Sequence, residues 1–85
     1  MTTQINILAN ERNIERYGRE IDCCTIELPC GKYRVTREAD TCWVFSVEVE
    51  RQHKSGKNVW AGLCSHAHRH RYGLAVHYAT TKVWA

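Results

Sequence analysis

The chain is 85 residues long with a net charge of +3, 44% hydrophobic and 25% charged residues, so one compact domain spanning residues 1–85 is expected. At this length folding buries only about 60–65% of the surface of the unfolded chain, and the composition excludes a disordered, low-complexity segment. No stretch approaches the roughly 18 apolar residues of a membrane span, and the start Met1-Thr2-Thr3-Gln4-Ile5-Asn6 lacks the basic patch and apolar run of an export signal. A cytoplasmic protein is therefore expected.

In chain order, Gln4 to Leu8 reads as a short strand. Asn10 to Tyr17 reads as a short helix, with Asn10 as N-cap and Gly18 just beyond its end. Glu20 to Leu28 is strand-like and ends at Leu28-Pro29-Cys30-Gly31, where proline at the second turn position suits a type I turn closing a hairpin. Lys32 to Arg37 is the return strand, and its charges place it near a sheet edge. The clearest element is Trp43 to Glu50, in which Trp43, Phe45, Val47 and Val49 alternate with polar residues, the period-2 pattern of a half-buried strand. A polar loop, His53 to Asn58, joins it to a second apolar run, Val59 to Cys64, and the two form a hairpin. After Tyr72-Gly73, the even positions Leu74, Val76, Tyr78 and Trp84 suggest a last strand, although Lys82 interrupts the apolar face. These readings sum to a mainly β fold (or α+β with one short helix): a small antiparallel sheet or partly open barrel of five to six hairpin-linked strands. A helix-turn-helix is excluded.

Two features carry chemistry. The first is Cys64-Ser65-His66-Ala67-His68-Arg69-His70. In an extended strand Cys64, His66, His68 and His70 share one face at about 6.6–6.8 Å spacing, and His77 on a neighbouring strand could join them. Zinc takes such nitrogen and sulfur donors. The paired short spacings of zinc modules are absent, however, so no cofactor is expected and zinc is the alternative. Five cysteines cannot all pair, and a reducing compartment favours free, mostly buried thiols.

The second feature is charge asymmetry. Residues 1–50 hold six Lys/Arg against nine carboxylates, a net −3, whereas residues 51–85 hold six Lys/Arg, all five histidines and no carboxylate, a net +6. The basic half either pairs with the acidic one across strands or faces an anionic partner. Partner-binding candidates are Arg51, Lys54, Lys57, Arg69, Arg71 and Tyr72; on a strand the arginines would lie on the parity opposite the histidines. Cations of this kind neutralise phosphates without reading sequence, and interleaved aromatics can stack on bases. The expected function is non-catalytic: a basic, histidine-rich C-terminal face that engages a nucleic acid or a nucleic-acid-handling protein complex. An inhibitor of a host or defence complex, of the phage or mobile-element type, is one concrete form. The alternatives are a small ribonuclease-type toxin using His66, His68 or His70 and a small zinc-binding domain. No nucleophile elbow, phosphate loop or H-E-x-x-H occurs.

Overall fold

The computed structural model describes residues 4–63 and 68–85. Five strands, β1 (Asn6–Arg16), β2 (Arg19–Leu28), β3 (Gly31–Glu38), β4 (Val44–Gln52) and β5 (Asn58–Gly62), form one open antiparallel sheet in sequence order. A helix, α1 (Arg69–Tyr78), continues into a π-helical turn over Ala79–Val83. The architecture is mainly β with one short helix, as the patterning implies, but two elements differ from the sequence reading.

Asn10 to Arg16 is strand, not helix, and Tyr17 belongs to the turn that follows. Glu11, Arg12, Glu15 and Arg16 lie on an exposed edge strand, so no apolar face marks its period. Gly18 is not a helix stop. With Tyr17 it makes a two-residue turn in which both residues have positive φ (56° and 74°), as the tight hairpin turns matching strand twist require.

The second difference is at the other end of the chain, where Leu74 to Trp84 is helix rather than strand. Its fully buried residues are Ala75 and Ala79, four apart, and small side chains at helical spacing let the helix lie close on the sheet. The hydroxyls of Thr80 and Thr81 bond back to the carbonyls of Val76 and His77 at 2.8 and 2.6 Å. They compete with the normal ladder where Trp84 N–H reaches Ala79 O.

The helix covers one face of β2–β4. Cys24, Ile26 and Leu28 from β2, Tyr33 and Val35 from β3, and Val47 and Val49 from β4 meet Leu63, Ala75, Ala79 and Trp84. Of the expected β4 stripe, Val47 and Val49 are core, whereas Trp43 is 62% exposed. A bulge explains it: Thr36 pairs with Ser46 but Arg37 with Val44, so Phe45 is the extra residue and the alternation breaks there.

β3 is the central strand, not an edge. Its charges are tolerated because each has a partner. Arg34 holds Glu48 through two bonds of 2.9 and 2.7 Å, Lys32 lies 3.9 Å from Glu50, and Arg37 donates to Asp22 at 2.9 Å. The Asp22 carboxylate, 1% exposed, also accepts from Asn13 N–H and lies 3.3 Å from Arg12. Trp84 closes this cluster, its ring centroid 4.3 Å from the Arg37 guanidinium and its indole N–H on Asn10. Burial alone would raise the Asp22 pKa; the Asn13 bond, the Arg37 bond and the two arginine charges outweigh it and hold the carboxyl below its ordinary value.

Candidate basic cleft

The site grows from two elements that meet at one end of the sheet. β4 is long enough to carry Arg51 past the core, on the parity of Val47 and Val49 and so on the helix side. α1 begins above it. His68 is the N-cap, and Arg69, His70 and Arg71 form the first helical turn. Arg51, His68, Arg69, His70 and Arg71 together line an open cleft of about 480 Å³. The helical turn places arginines and histidines on the same cleft, where a strand would have set them on opposite faces.

The electrostatics of this end are one-sided. All six Lys/Arg of residues 1–50 have a carboxylate within ion-pair distance. Among the described residues, none of Arg51, Lys54, Lys57, Arg69, Arg71 or Lys82 does, and all six are exposed. The helix adds to the imbalance. Among the described residues its cap makes no side-chain bond, and its first turn contains no acid, so the partial positive charge of the helix N-terminus sits beside two arginines. A larger groove of about 550 Å³, lined by Asn6, Glu27, Lys32 and Glu50 among others, shows the contrast. There Lys32 lies against Glu50 and Asn6 bonds Glu27.

The charge of Arg71 is also felt in the core. Burial pushes the Tyr33 hydroxyl up to about 12, its bond with Cys30 Sγ (3.3 Å) acts in the same direction, and the charge of Arg71 pulls against both. Tyr33 is thus a neutral core residue at physiological pH, outside the cleft lining.

The remaining expected residues are dispersed. Lys54 and Lys57 stand on the β4–β5 loop at the same end of the sheet, outside the cleft lining. Tyr72 packs against the core and is half-buried. Cys64 and His66 lie outside the described residues. His68, His70 and His77 are on the helix or its cap, and His77 follows His70 by seven residues, about 10 Å along the axis. The shared strand face that would have aligned them is therefore not formed. No three His, Cys, Asp or Glu side chains among the described residues are placed to hold a metal ion. Of the cysteines, Cys23 and Cys24 are buried, and burial pushes the Cys24 thiol up to about 12; Cys30 and Cys42 are exposed.

Comparison with known proteins gives no match. No family model fits the chain, and no curated protein or solved structure is significantly similar to it. No helix among the described residues is long and apolar enough to cross a membrane.

Proposed function

We propose that the protein is a non-catalytic binding domain whose basic C-terminal end engages a polyanionic surface, that of a nucleic acid or of a nucleic-acid-handling protein complex. One observation carries this reading. Every cation of the first half is matched internally, while Arg51, Arg69 and Arg71 converge on a cleft with no carboxylate in its lining. Guanidinium groups match phosphate and carboxylate oxygens with two parallel bonds, and the partial positive charge of the helix N-terminus adds to the same field. Inhibition of a host or defence complex is one form such binding would take.

The test is binding of a fluorescently labelled oligonucleotide to wild type and to Arg69→Glu/Arg71→Glu, with melting temperature as the control for folding. Tripling the salt should lower wild-type affinity by at least tenfold, and the double variant should lose binding with its fold intact. Unchanged affinity in both arms would overturn the reading. A second reading, metal-free RNA cleavage, draws on His68 and His70 lying among the arginines. RNA turnover that His70→Ala abolishes at unchanged stability would replace the first.

A further inference from the structure

The sheet has two edges, and they are built differently. β1 carries four charged residues and two register breaks, between Ile7 and Ala9 and between Glu11 and Ile14, with Asn13 at φ 56° in the second. Bulges and charges are the usual protection of an edge against pairing with another chain. β5 has neither. Asn58-Val59-Trp60-Ala61-Gly62 contains no charge and no proline, and its register with β4 is unbroken from Gln52↔Asn58 to Glu48↔Gly62. Among the described residues nothing pairs with its outer side.

The phase of the ladder says which groups are free. His53 N–H donates to Lys57 O, and Leu63 N–H donates to Val47 O. Antiparallel pairs alternate between bonded and non-bonded. Val59 and Ala61 therefore turn their main-chain groups towards β4, and Asn58, Trp60 and Gly62 turn theirs outward. The open edge thus offers donors and acceptors at every second residue, the spacing of another strand.

What lies beside this edge selects the occupant. Arg51 pairs with Val59, and Val59 is 41% exposed. The cleft of Arg51, Arg69 and Arg71 opens on the helix side of β4, the strand next to β5, and Lys54 and Lys57 stand on the loop that leads into β5. A strand added to β5 presents alternate side chains to that side, within reach of long guanidinium stems. We infer that β5 is a docking edge for an extended acidic segment of a protein partner, which adds a sixth strand and places alternate carboxylates against Arg51, Arg69 and Arg71. This rests on the polyanion-binding reading above and narrows it to main-chain pairing with a peptide.

The experiment uses amide hydrogen exchange of the full chain with two probes: a peptide of alternating glutamate and threonine about eight residues long, near common strand length, and a single-stranded oligonucleotide of equal charge. In the free protein the Val59 and Ala61 amides should be protected, while those of Trp60 and Gly62 exchange quickly. The peptide should slow Trp60 and Gly62 by at least tenfold. Gly62→Pro removes an outward donor and no β4–β5 bond, a position where an edge strand tolerates proline. It should weaken peptide binding at unchanged melting temperature; if it unfolds the protein, the exchange result decides alone. Oligonucleotide binding that leaves Trp60 and Gly62 unprotected, with no peptide binding, would overturn strand addition while the electrostatic reading stands. Trp60 and Gly62 already protected in a free dimer would assign the edge to a second copy and overturn it as well. No binding of either probe would remove both readings.

Discussion

The two halves of the chain use charge in opposite ways. In residues 1–50, arginines lie across strands from carboxylates: Arg34 on Glu48, Arg37 and Arg12 on Asp22, Arg19 on Glu38. Some of these groups are deep in the fold, and their pairing makes a charged central strand possible. In residues 51–85 the arginines gather instead at the start of a helix, where the helix's own field opposes them. The first half spends its charge on structure. The second holds charge in an arrangement that an external anion would relieve, and the proposed site rests on that difference.

The largest effect expected from breaking this comparison is in the first half. Asp22→Ala leaves Arg37 buried without its carboxylate, and losing one partner of a buried pair costs about 3–5 kcal/mol, measurable by urea denaturation. The same pair predicts a pH dependence. Because the Asp22 pKa is lower folded than unfolded, its contribution is present above the ordinary value of 3.8. It is lost as pH falls from there through the depressed folded value. Asp22→Asn should flatten that acid limb of a stability–pH curve.

Effects in the second half should be smaller and of opposite sign. A Cβ at Gly73, in the middle of α1, meets open space, so Gly73→Ala should stabilise by about 1 kcal/mol through helix propensity. Arg69→Glu and Arg71→Glu place acids in the first helical turn and should each stabilise by about 0.3–1 kcal/mol, read as a rise in melting temperature. The substitutions that abolish binding are thus expected to make the protein more stable, a trade-off typical of functional positions.

How legible this was in the sequence depended on what each segment faces. β4 was readable because its alternation records one buried face, and the Leu28–Gly31 and β4–β5 hairpins were readable from the proline and glycine of their turns. Asn10 to Tyr17 was not, because an edge strand exposed on both faces leaves no periodic trace, and Gly18 serves a turn as well as a helix end. Leu74, Val76 and Tyr78 mimic a strand face, while the spacing that mattered was Ala75 to Ala79, a quieter signal. For the site, the charge count named Arg51, Arg69 and Arg71 together with Lys54, Lys57 and the neighbouring Tyr72. The meeting of Arg69 and Arg71 with His68 and His70 needed the helix, whose N-terminal turn sets all four around one cleft with Arg51 of β4. The open edge of β5 left one trace, an uncharged run that starts at Asn58, directly after Lys57, and continues past Gly62.

The central claim is that unpaired cations of the second half form the binding surface, and chemical-shift mapping tests it most directly. Labelled protein would be titrated with the acidic peptide and with the oligonucleotide, for wild type and for Arg51→Glu/Arg69→Glu/Arg71→Glu. The account predicts perturbations confined to Arg51, the β5 edge and Arg69 to Tyr72, absent in the triple variant. Perturbations centred on the ion-paired face of β2 and β3, or undiminished in the triple variant, would contradict it.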